Sequence, residues 1–200
     1  MVTTKDARVT ALVTTVEILD ELGLDYWLCN GTLLGLVRDG ELIPWDVDLD
    51  FGLGHLEDRG AIRRAFESRG MIVQDDGSGS DYLTFIFMGT KVDLNFFAPQ
   101  GDEMVTLWKV PKNSGWIRYI VAICSRMRLP ISSIQCLWTL EGYAQPTTAL
   151  FPLGDATFYG KSMSVPRTPA VILEYTYGSE WKTPRRDYDW RRDGEHNAYG

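Results

Sequence analysis

The stretch NGTLLGLVRDGELIPWDVDLDFG, residues 30–52, decides the fold, because it joins a glycine turn to a row of alternating acidic and apolar residues. On an extended strand this alternation places the carboxylates of Asp46, Asp48 and Asp50 on one face. Like charges on one face repel each other unless a cation lies among them. Ligand sets made only of oxygen favour a hard ion, so the row predicts a site for Mg²⁺ or Mn²⁺.

An acidic turn or a solvent-facing strand is the alternative interpretation of this row. It accounts for the alternation, but not for the apolar residues beside each acid or for the glycine turn before them. A calcium-binding EF-hand loop needs a central glycine and a distal glutamate, and the row has neither. The metal interpretation therefore explains more of the pattern.

Asp93 is a fourth carboxylate of interest, because it interrupts the otherwise strand-like pattern KVDLNFF, residues 91–97. A carboxylate in a buried strand needs a partner. A metal ion shared with Asp48 and Asp50 is one such partner. An ion pair with Lys91, or a role in capping a turn, accounts for Asp93 equally well.

The glycine turn, Gly31-Thr32, follows a predicted strand at residues 25–29 and opens a short helix at residues 33–37. A glycine at that point lets the backbone approach a phosphate, and the amides of the helix N-terminus point towards it. Thr32 adds a hydroxyl donor. The alternative is a threonine that only caps the helix, and the turn gains weight from its position shortly before the aspartate row.

Two residues between the turn and the row can support a phosphate site. The guanidinium of Arg38 can contact a phosphate through two hydrogen bonds, or it can form a salt bridge with Asp39 or Glu41. Trp45 either stacks on a base or packs against the strand to hold it in place. The sequence leaves both alternatives open.

The remaining chain reads as alternating helices and strands without a dividing linker. Apolar residues at helical spacing, charged helical patterns and period-two patterns predict helices at residues 6–22, 57–69, 117–127 and 169–177 and strands at residues 48–52, 71–74, 82–88, 91–97 and 105–110. Gly89-Thr90 is the predicted hairpin turn, and residues 149–165 contain short strand-like pieces. We predict one α/β (α+β) domain over residues 1–200, with a core at about 5–110 and a C-terminal part at about 111–200 that ends in a helical tail.

Composition limits the classes of protein. The chain has 200 residues, of which 44% are hydrophobic and 12% aromatic, so it can bury a substantial core and is not a disordered protein. The formal net charge of −7 excludes a general attraction to nucleic acid. An acidic enzyme with a local cationic pocket for a small anion fits these values.

Localisation signals are few. The N-terminus lacks a basic region followed by an apolar one, so no signal peptide is predicted. The apolar segment at residues 116–140 is interrupted by arginines and by Pro130, which excludes a membrane span. We therefore expect a cytoplasmic protein without a transmembrane segment, in which this segment is compatible with peripheral contact to a membrane.

The string GTLLGLVRDGELIPWDVDLDFG, residues 31–52, closely resembles the signature of the LicD family, which includes the fukutin-related proteins and belongs to the nucleotidyltransferase superfamily. The strand KVDLNFF and the segment EYTYGSEWKTP, residues 174–184, are similar to later parts of the family pattern. Residues 102–148 resemble nothing that we recognise. The resemblance implies a nucleotidyltransferase-type mixed sheet flanked by helices.

The resemblance also implies roles for individual residues. Gly31 and Thr32 would hold the donor phosphate, with Arg38 as a further donor-binding candidate. Asp48, Asp50 and Asp93 match the family's acidic positions and would be both catalytic residues and metal ligands. Asp46 would be an accessory metal ligand.

The activity that the resemblance implies is a metal-dependent phosphotransferase. It would move a phospho-alcohol, such as phosphocholine, from a CDP-linked donor to a hydroxyl of a glycan or glycolipid. A nucleotidyltransferase that adds a nucleoside monophosphate to a small molecule or protein is the alternative, since both need the same centre. A non-catalytic binding module is a third class, against which the intact aspartate row argues.

The C-terminal tail has basic residues interleaved with aromatic ones. The cluster comprises Lys182, Arg185, Arg186, Arg191 and Arg192 with Trp181, Tyr188 and Trp190. It can close over an anionic donor or face an anionic glycolipid acceptor. A solvated tail of mixed charge explains it equally well.

Overall fold

The computed structural model describes residues 5–74, 81–112, 115–127, 137–188 and 193. The helices of this part are α1 (Lys5–Glu21), α2 (Asn30–Asp39), α3 (Arg59–Ser68), α4 (Gly115–Arg126), α5 (Thr147–Leu150) and α6 (Pro169–Tyr177). The strands are β1 (Tyr26–Leu28), β2 (Asp48–Gly54), β3 (Ile72–Gln74), β4 (Tyr82–Phe87), β5 (Thr90–Gln100), β6 (Glu103–Pro111), β7 (Trp138–Pro146), β8 (Gly154–Phe158) and β9 (Lys161–Val165).

The main sheet is mixed, because β2 and β5 run parallel while their other neighbours run antiparallel. Its order is β1-β2-β5-β4-β3, and β6 and β7 extend it from the C-terminal end of β5. Helices α1, α2 and α3 contact β5, β2 and β3 of this sheet, and α6 contacts β7. The predicted mixed sheet with flanking helices is therefore confirmed.

Helix α1 forms where apolar residues recur at helical spacing. Its buried side includes Leu12, Val16 and Leu19, which form one face of a helix with 3.6 residues per turn. Gly23 follows with a positive φ of 66°, a conformation that glycine adopts without steric cost. The predicted helix at residues 6–22 is thus confirmed within one residue at each end.

The hairpin β4–β5 orients the strand that carries Asp93. Phe87 pairs with Thr90, so the loop consists of Met88 and Gly89, both with positive φ. Two positive φ values suit the right-handed twist of a two-residue hairpin. The hairpin was predicted, but the turn is one residue earlier than the sequence indicated, since Thr90 already belongs to the ladder.

Strand β2 has one apolar face in the core and one acidic face. Leu49 and Phe51 are fully buried. Gly52 lies directly against the indole of Trp27, where a Cβ would come within 2.2 Å of the ring. This close approach fixes the position of β1 against β2, the strand that carries Asp48 and Asp50.

The second half forms an arm and a closing helix. Strands β6 and β7 pair along their whole length, and α4 lies in the connection between their distal ends. Strand β7 was not predicted. Helix α6 covers the same residues as its prediction and packs against α2. Within the described residues, no helix is both long enough and apolar enough to cross a membrane.

Candidate active site

The acidic row, which in the folded chain also includes Asp93, lies on two adjacent parallel strands, except for Asp46 just before β2. Asp50 on β2 stands opposite Asp93 on β5, and Asp48 stands opposite Lys91. Because successive side chains alternate between faces, these four residues share one face of the sheet. The opposite face is apolar and fully buried, through Leu49, Phe51, Val92 and Leu94. The pairing brings together acids that are 43 positions apart in the chain.

Asp93 is held by two side chains of the sheet. The hydroxyl of Thr84 donates to its Oδ1 at 2.6 Å, and the ammonium of Lys91 donates to its Oδ2. Lys91 Nζ also lies 3.7 Å from Asp48 Oδ2. Of the partners considered for Asp93, the ion pair with Lys91 is therefore the one formed here.

Asp46 lies just before β2, which begins at Asp48 as the sequence predicted, and its carboxyl group reaches Asp48. Its Oδ2 lies against Gly31, where a Cβ would come within 2.0 Å of that oxygen. Its Oδ1 accepts a hydrogen bond from Val47 N at 2.9 Å. Burial, followed by the hydrogen bond and charge of Asp48, raises the pKa of Asp46 to about 7, although the cation of Arg8 opposes the shift.

Burial, followed by repulsion between neighbouring carboxylates, raises the pKa values of the row. Burial and then the charges of Asp48 and Asp93 raise the pKa of Asp50 well above its usual value. Burial also raises the pKa of Asp93, against the opposing effects of Lys91 and Thr84. Burial works against the charge of Lys91, but Asp93, Asp48 and Asp50 together outweigh it and raise the pKa of the amine. The row is therefore short of positive charge.

This donor set suits a hard divalent cation in its chemistry. Carboxylate oxygens predominate, and the charges that they carry repel each other. As the side chains stand, no three acidic, histidine or cysteine groups among the described residues converge in a metal-binding geometry. Instead, the ammonium of Lys91 supplies the positive charge between Asp48 and Asp93. Any metal ion would compete with Lys91 for these carboxylates.

The glycine turn forms the first turn of α2 and connects it to the row. Thr32 is buried, and its Oγ1 accepts a hydrogen bond from the backbone N–H of Asp50 at 2.8 Å. Asn30 begins the helix with a φ of 46°, and its side-chain amide donates to the hydroxyl of Tyr143 at 2.9 Å. Thr32 therefore positions β2 relative to α2, a role that the sequence did not indicate.

A cavity of about 280 Å³ opens beside the row. It is lined from α2 and the following loop by Gly31, Leu34, Arg38, Ile43, Trp45 and Asp46, and from the C-terminal segment by Tyr177, Glu180, Trp181, Thr183, Arg185, Arg186 and Tyr188. The predicted donor-binding residues Gly31 and Arg38 thus share a wall with Asp46. More than half of the lining residues are cationic or aromatic.

Arg38 is paired with Asp39 in this structure. Its Nε and Nη2 donate to the two carboxylate oxygens at 2.9 and 2.7 Å. This is the salt-bridge alternative that the sequence left open. The guanidinium still borders the cavity.

Trp45 and the basic tail meet at the cavity. Trp45 is 37% exposed, and the guanidinium carbon of Arg186 lies 4.8 Å above its ring. Tyr177 and Tyr188 lie with their ring centroids 5.0 Å apart. The tail therefore contributes Arg185 and Arg186 to the site, whereas the predicted members Trp190, Arg191 and Arg192 lie outside the described residues.

Two site residues were missed in the sequence. Arg8 on α1 is buried and donates to the carbonyl of Ile43 at 2.8 Å, which places a cation near Asp46. Tyr143 on β7 contacts Asn30 at the start of α2. Arg8 lacks a motif, but its position on an otherwise apolar helical face was a usable signal.

The fold and site together define a nucleotidyltransferase-type domain, in which acids on two parallel strands face a helix that opens with a glycine turn. A family model described as "LicD/FKTN/FKRP, nucleotidyltransferase domain" matches residues 23–168. The protein belongs to the LicD family. The resemblance found in residues 31–52 is thus confirmed over most of the chain.

Curated relatives agree with this assignment. The chain is 26% identical over 180 residues to human "Ribitol-5-phosphate transferase FKTN", which is 88% of this chain and 33% of the relative. It is 51% identical over 103 residues to human "Ribitol 5-phosphate transferase FKRP", which is 49% of this chain and 19% of the relative. The chain therefore spans about a third of the length of its fukutin relative.

Solved structures support the fold. ANT(2″)-Ia in complex with adenylyl-2″-tobramycin superposes with a TM-score of 0.51 at 15% identity, and covers 92% of this chain and 83% of its own. A solution structure of the antibiotic-resistance factor ANT(2″)-Ia gives a TM-score of 0.52 at 14% identity, with coverage of 93% and 78%. At these identities the likeness concerns the fold alone.

Proposed function

We propose that this protein is a metal-dependent phosphotransferase that moves a phospho-alcohol from a CDP-linked donor to a hydroxyl of a glycan or glycolipid. The observation that carries the proposal is the register of β2 and β5, which sets Asp48, Asp50 and Asp93 on one face beside a cavity with cationic and aromatic walls. Family membership and the names of the fukutin and FKRP relatives support the same class of reaction.

The reaction breaks one bond and forms one. The acceptor oxygen bonds to the phosphorus that carries the alcohol, the bond from that phosphorus to the oxygen of CMP breaks, and one proton leaves the acceptor hydroxyl. In our proposal Asp93 accepts this proton, because its carboxylate lies on the same face of the sheet as Asp48 and Asp50. Thr84 and Lys91 hold its orientation.

The proposed metal ligands are Asp48, Asp50 and Asp93, with Asp46 as an accessory ligand. Bound Mg²⁺ or Mn²⁺ would neutralise charge on the donor phosphates and on the departing CMP. Lys91 then keeps the carboxylates in place when the ion is absent, since its ammonium already bridges two of them.

The donor is proposed to lie in the cavity. The first turn of α2, with Gly31 and Thr32, holds a phosphate of the donor. The pair with Asp39 uses Nε and Nη2 of Arg38, which leaves Nη1 for a second phosphate contact. Trp45 offers an exposed aromatic face to the base.

The experiment is a substrate panel with Mg²⁺, in which the chain is incubated with CDP-ribitol, CDP-choline, other CDP-alcohols and the four nucleoside triphosphates. Release of CMP from a CDP-alcohol supports the proposal. Release of pyrophosphate from a triphosphate overturns it in favour of the nucleotidyltransferase alternative. Asp48→Asn is the inactive variant, and Asp155→Asn, an exposed aspartate on β8, is the matched control that keeps activity.

A further inference from the structure

The chain contains one long segment without acidic residues. Between Glu103 and Glu141 there is no aspartate or glutamate, although the protein has 27 such residues and a net charge of −7. The same segment carries five of the 20 basic residues: Lys109, Lys112, Arg118, Arg126 and Arg128. The connection between β6 and β7 is therefore a positively charged region of an acidic protein.

Helix α4 in this segment buries one side and exposes a second apolar side. Ile117 and Val121 are buried against Leu137 of the arm. The exposed stripe recurs at helical spacing and comprises Trp116, Tyr119, Ile120, Ile123 and Met127 at the end of the helix. Trp116, Tyr119 and Met127 are 63%, 69% and 64% exposed, which is unusual for a contiguous set of large apolar side chains.

The position of α4 relates this stripe to the active site. Tyr143 contacts Asn30 at the start of α2, and Trp138 begins the same strand five residues earlier. An antiparallel strand rises about 3.4 Å per residue, so the distal end of the arm lies roughly 17 Å from that contact. A surface bound to α4 would therefore lie near the end of the arm that is farther from the start of α2.

We propose that α4 lies on an anionic lipid surface. Tryptophan and tyrosine favour the boundary between lipid headgroups and acyl chains, and a helix with an apolar stripe and flanking cations is typical of interfacial binding. Exposed Arg126 adjoins the stripe on the helical projection. A second copy of the chain fits less well, because a symmetric contact through the stripe would bring together two copies of a segment that carries Arg126 and no acidic residue.

Sedimentation of the full chain with lipid vesicles tests this proposal. We expect binding to vesicles of phosphatidylglycerol and phosphatidylcholine, and at least tenfold weaker binding to phosphatidylcholine alone. Trp116→Ser with Tyr119→Ser should weaken binding to the anionic vesicles by about tenfold or more, and Arg126→Glu by several-fold. Ile72→Ser, which alters an equally exposed apolar residue on β3, should bind as the wild type does.

Two results would overturn the proposal. One is equal or absent binding of the wild-type chain to the two kinds of vesicle. The other is a concentration-dependent dimer in sedimentation velocity that the double variant disperses, which would identify a second copy as the occupant. Tyr119→Ser alone serves as a milder variant if the double variant has an altered thermal unfolding midpoint. No donor is needed, so failure here is independent of the proposed phosphotransferase activity.

Discussion

The acidic row and the cavity beside it are built in different ways. The row lies on β2 and β5, where the backbone ladder and a fully buried apolar face fix the position of each carboxylate. The cavity is lined on one side by α2 and the loop before β2, and on the other by the segment after α6. That segment contributes the exposed Arg185 and Arg186 together with the half-buried Tyr188 and the buried Trp181.

The difference separates two tasks. Groups on adjacent strands of one sheet keep a fixed spacing, which suits chemistry that depends on precise geometry. Side chains on a terminal segment can change without disturbing the sheet, which suits selection of a donor. Substitutions in the row should therefore act mainly on turnover, and substitutions in the cavity mainly on the affinity for the donor.

The largest effect is expected from Asp50→Asn. Loss of this carboxylate removes several kcal/mol of stabilisation of transition-state charge, so turnover should fall by a factor on the order of 100 or more. The free energy of unfolding should be unchanged or higher, because burial and like charges destabilise the ionised form. CMP release and urea denaturation measure the two quantities, and turnover above a tenth of wild type would contradict the assignment.

Gly31→Ala tests whether the row extends to Asp46. An added Cβ would lie 2.0 Å from Asp46 Oδ2, so the carboxylate must move away from the first turn of α2. Because displacements of about 1 Å can cost up to a factor of 100, we expect kcat/KM to fall by about 10-fold to 100-fold. Gly115→Ala is the matched control, since its Cβ meets nothing within 4 Å. An unchanged kcat/KM in Gly31→Ala would exclude Asp46 from the active site.

Trp45→Ala should act on the donor rather than on the chemistry. The substitution removes an exposed aromatic face and the ring beneath the guanidinium of Arg186, contacts worth about 0.5–2 kcal/mol. We expect the KM for the CDP-linked donor to rise roughly 3-fold to 10-fold, with kcat nearly unchanged. Trp45→Phe should recover most of the affinity. A fall in kcat with an unchanged KM would show that the two regions are not separable in this way.

The smallest effect is a pH dependence of stability. The folded pKa of Asp46 is about 7, above the value of about 3.9 in an unfolded chain. The folded state thus binds the proton more tightly, and stability falls as pH rises between those values. The thermal unfolding midpoint of Asp46→Asn, with EDTA present, should match the wild type near pH 4 and exceed it by a few degrees near pH 8. A difference that is constant with pH would refute the shift.

Local patterns predicted most of the fold and the acidic centre of the site. Period-two alternation predicted β2 and the β4–β5 hairpin, and the helical pattern predicted α6 with the bounds that it has. The row and the glycine turn form one short motif, so their proximity was readable from the sequence. Strand β7 lacked an equivalent signal, and it pairs along a register that only the folded arm reveals.

Contacts between distant segments explain what the sequence did not indicate. Asn30 and Tyr143 are 113 positions apart, and Arg8 on α1 reaches the carbonyl of Ile43 in the loop after α2. The exposed face of Trp45 depends on where the C-terminal segment passes. The sequence left Arg38 with two interpretations, a phosphate contact or a salt bridge. In the structure Arg38 forms the salt bridge with Asp39, because the two side chains are adjacent and opposite in charge.

The parallel pairing of β2 with β5 also has a consequence for folding. The two strands are separated by α3 and two antiparallel strands, so their contact closes a long loop and carries a high entropic cost until the intervening hairpin is formed. The carboxylates of β2 and β5 approach each other only when this long-range pairing forms, and the repulsion between them opposes it. The active centre therefore exists only in the folded state. A divalent cation that binds there would stabilise the folded state relative to the unfolded chain.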